Sequence, residues 1–331
     1  MRSIRAGGAN RSRPFADELS VAHFIEKDDL MFNEKDIICF LGDSITANGR
    51  WMAEVYQTLR KKHRVKCYNC GVAGGSAKHA EKYLYSNCLI HNPDYVITMF
   101  GINDIARWNY SKFCVHSPER REEIVESEIA LHKASYEAII KKIRASGAEV
   151  IICLPTPYDE ISDLPAENLK CQYRLDEVIE FQKQLAEKYE VKLIDFSSVF
   201  KSLMGKLDLI DTDRVHPTVL GQHVIAQTFL KGVGEIDAVD YNTPFEFEDW
   251  NKARFDIETS LEGVNYIQFC ALFDEGWMLD KTYDELKSVA RERMAEIGNE
   301  NDYTYISYKA FIEKVDIRQR ILGEIVEHTI Y

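Results

Sequence analysis

Short apolar runs alternate with longer amphipathic segments through the middle of this chain, and that alternation restricts the fold more than any other feature of the sequence. The runs Asp36–Leu41, Val65–Cys70, Tyr95–Phe100, Val150–Leu154 and Val191–Asp195 read as buried strands. Each is short, rich in Ile and Val, and bounded by turn residues. The segments Trp51–Arg64, Glu119–Ser146, Tyr173–Tyr189 and Pro217–Lys231 carry apolar residues at helical spacing. Gly147 follows the second as a C-terminal cap, and Pro217 suits the first turn of the last. Strands that alternate with helices need crossover connections. The expectation is therefore a parallel sheet with helices on both faces.

The character changes after about Gly234. From Asp240 to Tyr331 there are 10 Lys and Arg against 20 Asp and Glu, so most of the chain's net charge of −13 lies there. Helical patterns at Tyr283–Ile297 and Ala310–Ile330 make this a mainly helical extension. The expected organisation is an N-terminal arm over residues 1–33, an α/β domain over 34–234 and an acidic C-terminal extension over 235–331. The arm carries Arg2, Arg5, Arg11 and Arg13 before its first acid, Asp17. It reads as a disordered basic arm or extra residues ahead of the native start, with a presequence as the alternative. It has no apolar signal-type stretch.

Chain length and charge exclude several classes. With 331 residues the chain buries a core large enough to fold without disulfide or metal staples. A balance of 41 Lys and Arg against 54 Asp and Glu leaves no basic footprint for nucleic acid or an anionic membrane surface. No apolar run approaches the roughly 20 residues of a membrane span. The eight cysteines include several inside strand-like runs, where they act as small hydrophobes; this suits a reducing, cytoplasmic setting. Cys67-x-x-Cys70 lies on one expected strand, where residues three apart point to opposite faces, so core packing outweighs metal chelation there.

The residues that bear chemistry collect where strands end. Gly42-Asp43-Ser44-Ile45 closes the first strand and opens a helix. In open parallel sheets ligands bind at the carboxyl ends of the strands. Ser44 is placed there as a nucleophile, and equally as a helix N-cap. A serine nucleophile needs a base and an orienting acid. Asp213 and His216 lie three apart in a loop that enters a helix, and Asp213 is favoured over the nearby Asp208 and Asp211 for that short return. The other histidines, among them His63, His79, His132 and His223, read as structural. Gly74 after the second strand and Asn103 after the third offer donors for an oxyanion, or simply build turns. Arg50, Trp51, Arg107 and Trp108 follow the Ser44 and Asn103 blocks and form a candidate substrate rim, unless the two tryptophans pack on the sheet.

Taken in order, Gly-Asp-Ser-Ile, Asn69…Gly74, Gly101-Ile-Asn103-Asp104 and Asp213-Arg-Val-His216-Pro resemble the four blocks of the SGNH (GDSL) hydrolases, over roughly Asp36 to Gly232. Ile45 stands where the motif's name has Leu. The resemblance implies a flavodoxin-like three-layer α/β/α fold with a five-stranded parallel sheet. It also implies a catalytic set of Ser44, Asp213 and His216, and an oxyanion hole of the Ser44 and Gly74 N–H groups and the Asn103 amide. It implies short-acyl ester hydrolysis through an acyl-enzyme with no cofactor and no metal. The expected substrate is an O-acetylated saccharide. A lipase or thioesterase is the alternative, and a non-catalytic carbohydrate-binding protein a more distant one. Homo-oligomerisation through the extension is a further expectation. Gly71–Ser76 lacks the second glycine of Gly-x-Gly-x-x-Gly, and no serine sits in Gly-x-Ser-x-Gly, which disfavours dinucleotide binding and the nucleophile elbow of other hydrolases.

Overall fold

Buried β1 (Ile37–Gly42) occupies the middle of the sheet, and everything at the candidate site is placed relative to its carboxyl end. The computed structural model describes residues 31–244, 258–259 and 283–302, with isolated positions from 305 to 316. On one side β1 pairs in parallel with β2 (Lys66–Gly71) and on the other with β3 (Tyr95–Met99). Beyond β3 lie β4 (Glu149–Leu154) and β5 (Lys192–Asp195), also parallel. The resulting order, β5-β4-β3-β1-β2, is that of a flavodoxin-like sheet. The chain leaves β1 for β2 on one side and reaches β3 on the other. A crevice therefore opens outside the end of β1, where such sheets bind ligands.

The strands are apolar on both faces, as buried parallel strands must be. Their two-residue period sorts them between two cores. Cys39, Leu41, Val96, Val150, Ile152 and Leu154 face one layer. It is formed by α3 (Ala77–Asn87), α4 (Pro118–Ala145) and α5 (Gln172–Tyr189). Ile38, Phe40, Ile97, Ile151 and Cys153 face the other. That layer contains α2 (Arg50–Leu59), α6 (Phe196–Leu203) and α7 (Val219–Gly232). Trp51 belongs to it: its ring lies 5.2 Å from Phe40, 6.1 Å from Phe196 and 5.9 Å from Phe229, and is 1% exposed. That corrects its expected place on the substrate rim. The physical reason is the helix period: in α2, Trp51 shares the sheet-facing side with Met52, Val55 and Leu59.

Three helices and one strand lie outside the segments read from the sequence, the eleven-residue α3 among them. The five-residue α1 (Ser44–Asn48) and eight-residue α6 are too short to show a full apolar period. A sixth strand, β6 (Glu258–Thr259), comes from the C-terminal extension and pairs in parallel with Tyr68 and Asn69. It covers part of the unpaired edge that β2 otherwise presents. The helix α8 (Tyr283–Ile297) forms where its apolar spacing predicts. Of the second expected helix, Ala310–Ile330, only Ile312 and Asp316 fall within the described residues; residues 1–30 of the arm, with its four arginines, fall outside them. No helix among the described residues is long and apolar enough to cross a membrane.

Glycine at the strand ends lets α1 settle directly on the sheet. A Cβ on Gly71 would meet the Ala47 backbone nitrogen at 2.3 Å, and one on Gly42 would meet Thr46 Oγ1 at 2.2 Å. The Asn69 side chain ties the same corner, accepting from Gly71 N–H at 3.0 Å and donating to Ala47 O at 3.2 Å. Gly71→Ala must therefore push α1 away from β2. The expected cost is about 1–3 kcal/mol of stability in urea unfolding, the usual range for overpacking. Activity should fall beyond that, because Ser44 is the first residue of the displaced helix.

Candidate active site

Ser44 stands one residue beyond Asp43, the N-cap of α1. The Asp43 carboxylate accepts from Ile45 N–H at 2.9 Å and is 1% exposed. The capping duty expected as an alternative for Ser44 thus falls to Asp43, and the serine hydroxyl is left to face outward. Burial pushes the Asp43 carboxyl up to about 6, although the Ile45 N–H and the His216 charge work against it. As the first helical residue, Ser44 has a backbone N–H outside the intrahelical ladder.

Ser44 Oγ lies 2.7 Å from His216 Nε2. The other ring nitrogen, Nδ1, meets Asp213 Oδ2. Asp213 Oδ1 accepts from the N–H groups of Val215 at 3.0 Å and His216 at 2.9 Å, so the carboxylate folds back on its own loop. Asp211 does something else: its carboxylate takes Thr212 N–H at 2.6 Å, and its backbone pairs with His216 O and Arg214 N. Burial works to raise the Asp213 carboxyl, but the hydrogen bonds from His216 and the two N–H groups outweigh it and hold the carboxyl well below its ordinary value. The same carboxylate raises the His216 ring above its ordinary value, against the effect of burial.

The loop is fixed from beneath by Arg214. Its φ of 68 is unusual for a residue with a Cβ. The side chain is 5% exposed, and its guanidinium donates to four carbonyls: Ala166 (2.7 Å), Leu164 (2.7 Å), Ser162 (2.9 Å) and Asp159 (3.1 Å). Residues 159–166 follow β4, so this one side chain ties the His216 loop to the next strand end. The helix after the loop starts at Val219, not at Pro217, because the Thr218 hydroxyl caps it by accepting Gly221 N–H at 3.1 Å.

The donors expected for an oxyanion sit on the neighbouring strand ends. Gly74 has φ +70, in a turn closed by Gly75 N–H on Val72 O at 2.9 Å. Its own N–H donates to no acceptor among the described residues. Asn103 Nδ2 donates to Gly75 O at 2.9 Å, which joins the turn after β2 to the turn after β3. Amide nitrogen carries two hydrogens, so one remains. Asp104 is buried and works inward: it accepts Ala77 N–H at 2.7 Å, at the start of α3, and lies 2.9 Å from His132 Nδ1.

The expected rim divides. Trp108 is 67% exposed beside the Asn103 turn, whereas Trp51 is in the core. Arg50 is half-buried at the first position of α2. Arg107 is half-buried and turned back onto Asn103, with Nη1 3.0 Å from Oδ1. Three of the histidines read as structural contact partners away from Ser44: His63 with Glu235 at 3.1 Å, His223 with Glu54 at 2.8 Å, His79 with Ser76 at 3.0 Å. Cys67 and Cys70 face opposite cores. Cys70 instead joins Cys39 and Cys88, with the three sulfurs within 4.8 Å of one another. The sequence does not place these three together. Burial raises the thiols of Cys39 and Cys88 well above the ordinary value, so they are neutral in the apolar core.

Comparison with known proteins gives a consistent picture. Residues 38–229 match the family model described as GDSL-like lipase/acylhydrolase. An acetylxylan esterase of Geobacillus stearothermophilus is 23% identical over 219 residues, which is 60% of this chain and 93% of that protein. The crystal structure of Axe2, an acetylxylan esterase from Geobacillus stearothermophilus, superposes with a TM-score of 0.51 at 21% identity, over 61% of this chain and 95% of that one. A gut microbial diltiazem-metabolizing enzyme superposes with a TM-score of 0.51 at 22% identity, over 61% of this chain and 48% of that one, so the likeness spans about half of its length.

Titration of His216 checks the electrostatics of the site. Asp213 raises the pKa of the ring, so in the intact protein the imidazole should lose its proton only above the ordinary value of about 6.5. In Asp213→Asn the midpoint should move down, since the cause of the shift is removed while burial persists. Imidazole proton shifts followed by NMR against pH read both. A midpoint that does not move in Asp213→Asn would show that the carboxylate is not what holds the ring.

Proposed function

The chain belongs to the GDSL-like lipase/acylhydrolase family, whose members are carboxylic ester hydrolases, and on that premise we propose that it is a serine esterase that removes short acyl groups, above all acetyl, from a carbohydrate. One observation carries the reading: Ser44 Oγ lies 2.7 Å from His216 Nε2 while Asp213 occupies the other ring nitrogen. A serine capping a helix or packing in a turn has no need of that third group.

In the proposed reaction His216 Nε2 takes the Ser44 proton as Oγ attacks the ester carbonyl. The carbonyl π pair moves to oxygen, and the resulting oxyanion is met by the N–H groups of Ser44 and Gly74 and by the second Nδ2–H of Asn103. Asp213 keeps the ring in the correct tautomer and offsets the charge of the imidazolium. His216 then gives its proton to the departing alkoxide as the C–O bond breaks. Water, activated by the same nitrogen, attacks the acyl-serine, releases the acid and restores Ser44. No cofactor enters any of these steps.

Two observations favour a saccharide ester. Trp108 presents a largely exposed indole beside the Asn103 turn, a flat surface of the kind that stacks on a sugar ring. The relative with 93% of its length matched is an acetylxylan esterase. A lipase or thioesterase is the second reading, since a long acyl chain would also use an exposed apolar surface.

Hydrolysis of p-nitrophenyl esters graded by acyl length separates them. Acetyl should be turned over fastest, with kcat/KM falling steadily as the chain lengthens; a maximum at long chains would favour the lipase reading. Ser44→Ala should abolish turnover while the fold is kept. Asn103→Ala should lower kcat by about 10²–10³ with little change in KM, the usual effect of losing one oxyanion donor.

A further inference from the structure

Arg107 lies four residues beyond Asn103, at the start of the short 3-10 segment Arg107–Tyr110. The chain turns sharply just before it, with Ala106 at φ +47, and the turn sends the arginine back toward the sheet. Its Nη1 donates to Asn103 Oδ1 at 3.0 Å and approaches Ile102 O at 3.5 Å. The Trp108 ring covers the guanidinium, with its centroid 4.7 Å away. A cation drawn this far from water needs compensation. Here it comes from the Asn103 oxygen and from the charges of Asp43 and Asp213, which act on Arg107 against the effect of its burial.

The contact matters because a primary amide has two unlike ends of nearly the same shape. Rotated by half a turn, Asn103 would present a carbonyl where it now presents Nδ2–H, and a carbonyl repels an oxyanion. Gly75 O holds one Nδ2 hydrogen at 2.9 Å. Arg107 holds the opposite end. A cationic donor on Oδ1 also draws electron density from the amide, which makes the remaining Nδ2–H a stronger donor.

We propose that Arg107 is a positioning residue for the ester hydrolysis: it locks and polarises the Asn103 amide so that its second hydrogen meets the oxyanion. The proposal rests on the serine-esterase reading of the site. It assigns the arginine an inward task in place of the rim contact its sequence position suggests. A rim contact would alter KM, and a direct effect of the charge on His216 would be independent of Asn103. Action through Asn103 is distinguishable from both.

The test is a double-mutant cycle on the full chain with p-nitrophenyl acetate at saturation, using Arg107→Met, Asn103→Ala and the two combined. Arg107→Met should lower kcat by about 10- to 100-fold, the range of a lost charge-assisted hydrogen bond, with KM little changed. In the Asn103→Ala background the same substitution should cost nothing further. Arg107→Lys, which keeps the charge but not the fork, should fall between wild type and Arg107→Met. Losses that multiply in the double variant would overturn the proposal, as would a raised KM at unchanged kcat. If Arg107→Met does not fold, the same cycle with Arg107→Lys decides by the same criterion. Ser44→Ala measured alongside separates the two levels. If its activity equals wild type, the serine-esterase reading falls and takes the proposal with it. If turnover needs Ser44 but the losses multiply, only the role of Arg107 is overturned.

Discussion

The hydrogen bond between Ser44 Oγ and His216 Nε2 joins two groups 172 residues apart in the chain, and much of the architecture serves to make that short distance reproducible. All five long strands run in one direction, so their carboxyl ends share one edge. Ser44 leaves the end of β1, Gly74 follows β2, Asn103 follows β3, the anchor segment 159–166 follows β4, and the Asp213–His216 loop comes after β5 and α6. Each group is held by its neighbour. Asp43 caps the helix that starts with Ser44, Asn69 ties that helix to β2, Asn103 spans the turns after β2 and β3, and Arg214 binds the histidine loop to the segment after β4. The geometry is thus a property of the sheet edge as a whole.

That edge carries opposing electrostatic demands. Asp43 is buried with its carboxyl raised to about 6, an arrangement that works against stability once the group ionises. Asp213 is held ionised by three hydrogen bonds and in turn raises His216. The positive charge of Arg107 interacts with both Asp43 and Asp213. Two carboxyls within one site, driven in opposite directions by burial and by hydrogen bonding, leave His216 paired with a single firmly ionised partner.

Much of this was legible in the sequence, for physical reasons. Parallel strands buried on both faces produce short unbroken apolar runs, so β1 to β5 appear within a residue or two of their observed bounds. The catalytic candidates follow strand ends, which the same runs locate. Asp213 was separable from Asp211 because three residues suffice for a carboxylate to turn back on His216. What stayed hidden depends on side-chain direction or on pairing across the sheet. Trp51 reads as a neighbour of the site, but the helix period turns it into the core among Phe40, Phe196 and Phe229. Arg107 reads as a rim residue until the turn at Ala106 shows it reaching Asn103. The Cys39, Cys70 and Cys88 cluster needs β1, β2 and the end of α3 to be brought together. The two-residue β6 is too short for any period to show.

The central claim is that Ser44 becomes acylated during turnover. The most direct measurement is mass spectrometry of the enzyme quenched in acid during hydrolysis of p-nitrophenyl acetate, followed by digestion and mapping of the adduct. The account predicts a single acetyl group on the peptide that contains Ser44, absent from Ser44→Ala and enriched in a variant whose deacylation is slowed. Turnover with the acetyl group mapped to any other residue, or with Ser44 never modified, would contradict it.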